Sequence, residues 1–588
     1  MKLKLTLLIF LFITEINGFT QIIYDLQDDL LEYSMINALN NGGQLDDEIV
    51  MSNPPIIQAD LNSNGQLDYI TSYPAIDEVY IYFDQPDFTD NLYIPHNGPN
   101  LIISGSDYFG SSFTVGDFNG DNKDDLLIGA KAVSGDGEAY IIYGNSTLPT
   151  TGNITISDIK NITVSFAGWS GEPDTFGEQV CAADLNNDGF DEIIVSAPGY
   201  TPMSNKGSIF IINGSSSLPS IIEATTDSDI IIEGGDVFDH IGRYLRKGDF
   251  NDDNYEDLVF TSPHWPGAGS AGQRGKAWIL FGSNNLLDYF NIGQTYSEIT
   301  GFAGKNMSDE MAFAAVGDIN GDEVDDLILS SVKYDAPIIY PSSNNFGTVY
   351  VNYGPISPGE DYLNVEDFPN QTQIFPNQED IGILNTYMFI GSRFGQSIST
   401  MDINNDGNDD LLIGAPGYSR LPPTGSQTNE GGAFIILGSS SLGDVIYEDS
   451  QYARFLADID VNGQFGRAVS FLNINQDNKI YASIADLQTH LIYLFNLDVT
   501  TEIEFTEKPV ISLFPVPTKD ILNIRTEIAG YYHITLSNIL GQEILSKETI
   551  SIKNITIDIS DFDSGIYIIK LIDSKSKLNV YKTKFIKQ

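Results

Sequence analysis

A nine-residue acidic pattern recurs six times along the chain: an Asp, a side-chain oxygen two residues on, another at the fifth position and a carboxylate at the ninth. The second copy is the clearest, with Asp117, Asn119, Asp121 and Asp125 at those positions and Lys123 at the seventh. The others place Asp60, Asn62, Asn64 and Asp68; Asp184, Asn186, Asp188 and Glu192; Asp249, Asn251, Asp253 and Asp257; Asp318, Asn320, Asp322 and Asp326; and Asp402, Asn404, Asp406 and Asp410. Calcium takes six to eight hard oxygen ligands, at about 2.3–2.6 Å, from carboxylates, amides and main-chain carbonyls. A short loop supplies that set only when oxygens recur at alternate positions and turn toward one centre. The chemistry expected of these residues is calcium ligation, by five or six ions in all.

Position seven varies freely, as Gln66, Lys123, Phe190, Tyr255, Val324 and Asn408. That variety suits a main-chain carbonyl ligand. Position six is Gly65, Gly189 or Gly407 in three copies and Asn122 or Asn254 in two more. Those residues tolerate the left-handed conformation of a sharp turn, so Glu323 in the fifth copy is the exception. The loops are not EF-hands, which are longer, end in a Glu at position twelve and lie between helices. Here the flanks are strand-like, as in Leu126-Leu127-Ile128 and Leu411-Leu412-Ile413. Each loop therefore reads as the connection of a β-hairpin. Asp, Asn and Gly also dominate ordinary turns, but six copies in register favour metal ligation.

The loop starts at 60, 117, 184, 249, 318 and 402 are followed by a degenerate seventh at Asn473, where Tyr481 stands in place of the ninth-position acid. The separations are 57, 67, 65, 69, 84 and 71 residues. A repeat of this kind has to be recognised before any fold is assigned. Each unit holds about four short apolar runs, including Phe113–Val115, Leu126–Ile128 and Ala139–Tyr143 in the second. Four strands per unit with radial repetition describe a propeller blade. The expectation is an all-β fold with a seven-bladed β-propeller. The 84-residue interval suggests an insertion around Pro355 to Asn385, and residues 22–50 are candidates for a strand that closes the ring.

Before the loops stand Phe109-Gly110, Phe176-Gly177, Ile241-Gly242, Phe394-Gly395 and Phe465-Gly466; after them come Gly129-Ala130-Lys131, Ala197-Pro198 and Gly414-Ala415-Pro416. This order resembles the FG-GAP repeat, the blade of the integrin α-subunit propeller, over roughly residues 50–497. The first unit lacks the Phe-Gly, and the fifth has Met311-Ala312 in its place and Ser330-Ser331 after the hairpin. The resemblance implies calcium hairpins on one face and partner recognition on the other. It points to an adhesion or ligand-binding protein whose protein or glycan ligand sits opposite the calcium loops.

Composition narrows the partners. The 588-residue chain carries a formal charge of −52, more than six calcium ions offset. Nucleic acid is excluded as an expected partner, since it calls for clustered Lys and Arg. Residues Lys508–Gln588 hold 11 Lys plus Arg against 8 Asp plus Glu, a balance of +3, so the rest carries −55. That shift marks a boundary, with a linker at 498–509 between a propeller at 21–497 and a second domain at 510–588. The single cysteine, Cys181, rules out an internal disulfide and reads as a small buried residue. Lys2, Lys4, the apolar run Leu5–Ile13 and Gly18-Phe19-Thr20 read as a signal peptide over 1–20, too short to span a membrane. No other run of eighteen apolar residues occurs. The expected location is secreted or at the cell surface.

Residues 510–588 read as short alternating strands in a small Ig-like β-sandwich. Leu513-Phe-Pro-Val-Pro-Thr-Lys-Asp-Ile-Leu-Asn-Ile524, Ser537-Asn-Ile-Leu-Gly541, Ser564-Gly-Ile-Tyr567 and the final Lys-rich strand resemble the C-terminal sorting domain of the type IX secretion system of Bacteroidetes. The resemblance implies passage across the outer membrane and contact with the secretion machinery. No catalytic motif is found. The five histidines form no zinc-type pair, and no Gly-x-Ser-x-Gly or phosphate loop occurs. Paired carboxylates hydrolyse glycosides at defined separations, but here metal ligation accounts for most pairs. The competing expectations are an extracellular propeller enzyme, a polysaccharide hydrolase or lyase, and a structural surface-layer component. Trp265, in His-Trp-Pro-Gly-Ala-Gly, is an aromatic able to stack on a sugar or on a partner side chain, although a plain loop aromatic is the commoner reading.

Overall fold

The computed structural model describes residues 14–16, 19–25, 33–37, 56–83, 99–131, 136–168, 174–199, 206–235, 239–265, 274–305, 310–333, 347–375, 392–418, 431–440, 442, 445–447, 453–456, 464–474, 479–486 and 491–497, and then 511–514, 521–526, 532–538, 543–548, 554–560, 562, 565–573 and 579–587. The signal-peptide core at 5–13 lies outside them. By contact, Gln21–Val499 and Thr500–Gln588 fall in separate compact units.

The chain is all-β, with a β-propeller in the first unit. Six of its sheets are built on the repeated hairpin. The second sheet shows the plan: Phe109–Gly116, Asp125–Ala130, Glu138–Ile142 and Ile162–Ser165 pair antiparallel in sequence order, and Ile221–Glu223 adds outside in parallel. In all six sheets the ninth hairpin residue pairs with the residue just before the first: Ala59↔Asp68, Gly116↔Asp125, Ala183↔Glu192, Gly248↔Asp257, Gly317↔Asp326 and Met401↔Asp410. One register thus places every loop at the same end of its sheet. The second strands (Asp68–Tyr73, Asp125–Ala130, Glu192–Ala197, Asp257–Ser262, Asp326–Ser331, Asp410–Ala415) are buried along their whole length. Sheets cover them on both faces, so they read as continuous apolar runs rather than alternating ones.

The outer parallel strand of each sheet comes from the following unit. Gly152–Thr155, between the third and fourth strands of the second sheet, pairs with Leu101–Ser104 of the first. Tyr289–Asn291, Asp361–Tyr362 and Val445–Tyr447 do the same for the third, fourth and fifth sheets. This corrects the insertion expected at Pro355–Asn385. Within it, Asp361–Tyr362 is the outer strand of the fourth sheet and Gln371–Phe375 the fourth strand of the fifth; residues 376–385 lie outside the described residues. The two-residue outer strand was too short to register as a strand in the sequence.

A four-stranded sheet follows the six: Val469–Ile474, Lys479–Asp486, Leu491–Leu497 and, from the other end of the chain, Tyr33–Asn37. Just ahead of it, Ile22–Asp25 pairs in parallel with Ala453–Leu456 of the sixth sheet. The N-terminal segment therefore fills the two places that the residues after the third strand fill in other units.

Packing follows the same cyclic order. One core cluster joins the first and second sheets, through residues such as Ile70 and Phe109. Others join the second to the third, third to fourth, fourth to fifth, fifth to sixth and sixth to seventh. The last joins seventh to first, through Tyr69, Tyr73, Tyr80 and Tyr82 against Leu472, Tyr481 and Ile492. Phe109, Phe176, Ile241, Met311, Phe394 and Phe465 are fully buried at these seams. Truncating a buried Phe of this kind costs roughly 3–5 kcal/mol. Gly177 beside Phe176 has φ +83°, and a Cβ there would lie 2.6 Å from the Glu138 carbonyl oxygen, so only glycine fits the seam.

The second unit holds a three-stranded sheet, Ile511–Phe514, Ile521–Thr526 and Asn554–Asp558, and a four-stranded one ordered Glu543–Glu548, Tyr532–Asn538, Gly565–Asp573, Asn579–Lys587. All of their pairings are antiparallel. Leu522, Ile534, Leu536, Ile557, Ile559 and Tyr567 are buried.

Candidate metal hairpins

Each hairpin is wrapped around its first carboxylate. Asp117 Oδ1 accepts from the N–H of Gly120 at 2.7 Å and of Asp121 at 3.1 Å, and its Oδ2 from Asn122 at 2.7 Å. The other five copies repeat this. Positions five and six donate to Asp60 (2.9 and 2.7 Å), Asp184 (3.0 and 3.0 Å), Asp249 (3.2 and 2.9 Å), Asp318 (3.0 and 2.8 Å) and Asp402 (3.1 and 3.0 Å). The turn that permits this needs two left-handed residues. Position six has φ between 58° and 86° in every copy, as its Gly and Asn content predicts. Position four is left-handed too, with φ between 54° and 74° at Ser63, Gly120, Asn187, Asp252, Gly321 and Asn405.

Glu323 has φ 68° at position six. A side chain in that region costs roughly 1–2 kcal/mol, so Glu323→Gly is expected to raise stability by about 1 kcal/mol. Denaturant unfolding of the two proteins checks it, and equal midpoints would contradict the strain.

Position five is held by the N–H of position seven. Asn64 accepts from Gln66 at 2.8 Å, Asp188 from Phe190 at 3.0 Å, Asp253 from Tyr255 at 3.0 Å, Asp322 from Val324 at 3.1 Å and Asp406 from Asn408 at 3.0 Å. In the second hairpin the Lys123 ammonium reaches Asp121 at 2.7 Å instead. Side chains at position seven also pack on the preceding loop. A Cβ at Gly120 would meet the Phe190 ring at 2.4 Å, and one at Gly321 would meet Asn408 at 2.6 Å.

The ninth-position carboxylates are buried. Asp125, Asp257, Asp326 and Asp410 are 0 % exposed and Glu192 1 %. Their oxygens accept from main-chain N–H groups, as from Phe250 at 3.0 Å and Gly282 at 2.7 Å on Asp257. Burial nonetheless pushes them up, to about 7 for Asp125 and Asp326 and about 8 for Glu192, Asp257 and Asp410, and the other acids of each loop add to the rise. A carboxylate held higher in the folded state adds stability that is complete below its unfolded value, near 4, and is lost as pH rises through 7–8. Without divalent metal, the melting temperature is expected to fall from pH 4.5 to pH 8. Melts in chelator across that range check it, and a flat or rising profile would contradict it.

The donor set fits calcium. At position three, Asn186 and Asn251 keep their side-chain carbonyl oxygens buried with no hydrogen-bond partner, while their amide nitrogens bond to Glu192 and Asp253. Orphaned acceptors of this kind, among carboxylates, suit a hard cation. Carboxylate oxygens already bound by N–H groups keep further lone pairs for ligation. Among the described residues no three His, Cys, Asp or Glu side chains form a metal-binding group by themselves, so amide and main-chain oxygens would complete each set.

Sequence reasoning missed the eighth position. Asp124, Asp191, Glu256, Asp325 and Asp409 each lie beside the buried ninth-position acid, but their carboxylates reach the preceding hairpin. The signal was the acidic doublet that opens five of the six second strands, as in Asp124-Asp125 and Asp409-Asp410.

Outside the hairpins, the other notable groups are engaged. Glu178 is buried between Lys131, at 3.1 Å, and Arg243. Lys276 is buried against Asp361 at 2.5 Å, with its ammonium 4.9 Å from the Trp265 ring and 5.3 Å from that of Trp278. Trp265 thus packs on a lysine of its own sheet. His240 is pushed down to about 4 by burial and then by His264, whose ring centroid lies 5.3 Å away. Cys181 is buried, and its thiol is pushed up to about 11 by burial.

Comparison with known proteins places these features. A family model described as FG-GAP repeat matches residues 109–143, 176–212 and 394–437, and one described as Secretion system C-terminal sorting domain matches 512–588. A phosphatidylinositol-glycan-specific phospholipase D of Dictyostelium discoideum is 28% identical over 315 residues, 49% of this chain and 31% of that protein. Its Homo sapiens counterpart is 30% identical over 187 residues, 30% of this chain and 21% of that protein. Integrin alpha-5 of Xenopus laevis is 24% identical over 236 residues, 40% of this chain and 21% of that protein. The chain spans less than a third of the length of each. Among the described residues no helix is long and apolar enough to cross a membrane.

Proposed function

We propose that this chain, which carries FG-GAP repeats and a secretion-system C-terminal sorting domain and is exported to a secreted or cell-surface location, works as a calcium-stabilised binding or adhesion protein. Its recognition module is a seven-bladed propeller, and its second unit is a small Ig-like sandwich addressed to the secretion machinery. The cyclic run of core clusters, closed by the tyrosine-rich seam between seventh and first sheets, supports seven blades.

The observation that carries the reading is the repeated hairpin, with its wrapped first carboxylate, buried ninth carboxylate and orphaned Asn186 and Asn251 oxygens. The side chains at positions one, three, five and nine and the carbonyl at position seven would hold the ion. Bound calcium would neutralise carboxylates that otherwise repel one another across each loop. The hairpins are thereby committed to structure, and recognition falls to the opposite ends of the sheets, near Ala130, Ala197, Ser262, Ser331 and Ala415. At that end the buried Glu178 is committed to Lys131 and Arg243, which favours recognition over acid–base chemistry.

Probing arrays of extracellular glycans and matrix proteins with the mature chain, in calcium and in chelator, tests this. Calcium-dependent retention without turnover is expected. Release of cleavage products from an immobilised glycan would replace the reading with that of an enzyme.

A further inference from the structure

Five seams between neighbouring hairpins carry the same staple. The main-chain N–H of the first-position Asp donates to the eighth-position carboxylate of the next hairpin: Asp60 to Asp124 at 2.7 Å, Asp117 to Asp191 at 2.7 Å, Asp184 to Glu256 at 2.7 Å, Asp249 to Asp325 at 2.8 Å and Asp318 to Asp409 at 3.2 Å. At three seams the bond is returned through the main chain. The N–H of Asp191 donates to the Asp117 carbonyl at 3.0 Å, that of Glu256 to Asp184 at 3.3 Å, and that of Asp409 to Asp318 at 2.7 Å. The stapling acid is also the immediate neighbour of the buried ninth-position carboxylate in its own hairpin.

We propose that these staples make ion binding cooperative around the propeller, each occupied hairpin organising the first ligand of the one before it and being favoured in turn by that neighbour's ion. This rests on the reading of the hairpins as calcium sites. The physical link is short. A single peptide unit separates ligand nine of one hairpin from the staple that fixes the backbone of ligand one in its predecessor. Drawing ligand nine onto an ion therefore also sets the position of that backbone. Lys247 adds a lateral tie, with its ammonium 2.9 Å from Glu256 and 3.6 Å from Asp191, so two consecutive staples share one cation.

The relay has defined ends. Position eight is Ile480 in the seventh hairpin and Leu67 in the first, and neither can accept a hydrogen bond through its side chain. At the seam between seventh and first, a neutral amide takes over: Gln58 donates to the Asn473 carbonyl at 2.7 Å and accepts from its N–H at 3.3 Å. Coupling is expected to link the first through sixth hairpins and to stop at both ends.

Terbium, a luminescent stand-in for calcium, gives a readout at one hairpin, because Tyr255 at position seven of the fourth sensitises emission from an ion bound there. Loss of a component on Tyr255→Phe identifies it. The staple on the fourth hairpin is Asp325, which is not among its own proposed ligands. In the mature full chain, Asp325→Ala is expected to weaken terbium binding at the fourth hairpin about fivefold or more, the lower range of measured couplings. Asp325→Asn, which keeps a neutral acceptor, should fall between, and serves if the alanine variant does not fold. Removing a ligand of the fifth hairpin with Asp322→Ala should also weaken the fourth, but not further when Asp325 is already alanine. Unchanged fourth-hairpin affinity in both Asp325 variants would overturn the coupling and leave the calcium reading standing. No terbium bound by the unaltered chain would overturn both.

Discussion

Stripping calcium from the mature chain is expected to lower its melting temperature by on the order of 10–15 °C. At a free concentration about 100-fold above the dissociation constant, each site adds roughly 2.7 kcal/mol. Five filled hairpins then contribute on the order of 13 kcal/mol. Unfolding entropy near 2.1 cal/mol/K per residue makes about 1 kcal/mol equivalent to about 1 °C in a unit the size of Gln21–Val499. The physical origin is local. Asp318, Asp322 and Asp326 lie within eight residues of one another, with Asp326 fully buried, so without a bound metal the loop carries uncompensated charge. Calcium also changes the response to pH. Ligation needs ionised carboxylates, so the protection should grow between pH 5 and 8, where the metal-free protein weakens. Scanning calorimetry in calcium and in chelator at pH 7.5 measures the difference, and coincident melts would contradict it.

Removing the N-terminal segment is expected to have the second-largest effect. Tyr33–Asn37 pairs residue for residue with Leu491–Phe495, and Ile22–Asp25 with Ala453–Leu456. Nine paired residues, at a net of about 0.5–1 kcal/mol per hydrogen bond, the lower part of the usual range, amount to roughly 5–9 kcal/mol. A chain starting at residue 38 should melt about 5–10 °C lower. It should also self-associate, because the strands at 453–456 and 491–497 would become open sheet edges. A synthetic peptide covering Gln21–Asn37 should restore the monomer when added back. A truncated chain that stays monomeric with an unchanged melt would show that the segment does not hold the propeller closed.

Much of the fold could be read from residue types because the repeat multiplies a weak local signal. One Asp-rich turn says little, whereas six in register, three of them with Phe-Gly before and each with an apolar run after, place the hairpins, the second strands and the buried Phe plugs. The oxygen spacing and the left-handed turn were legible for the same reason, since alternate oxygens and a flexible sixth residue are properties of nine consecutive positions. What stayed hidden depends on distant partners. Asp191 carries no mark that its carboxylate serves Asp117, 74 residues earlier. Asp361–Tyr362 is a strand only because Gly301-Phe302 lies beside it, and so the segment around it looked like an insertion. The ring-closing strand expected within residues 22–50 is met by Ile22–Asp25 and Tyr33–Asn37, but their partners, more than 400 residues away, could not be named from the sequence. Position four escaped notice because Ser63, Asp252 and Asn405 share only their positive φ.

The most direct test of the account is a calorimetric calcium titration of the mature full chain at pH 7.5 after exhaustive chelation. Uptake of five or six ions, reduced by one in Asp121→Ala, is the expected result. Binding of none, or uptake that Asp121→Ala leaves unchanged, would contradict the assignment of the six hairpins as calcium sites.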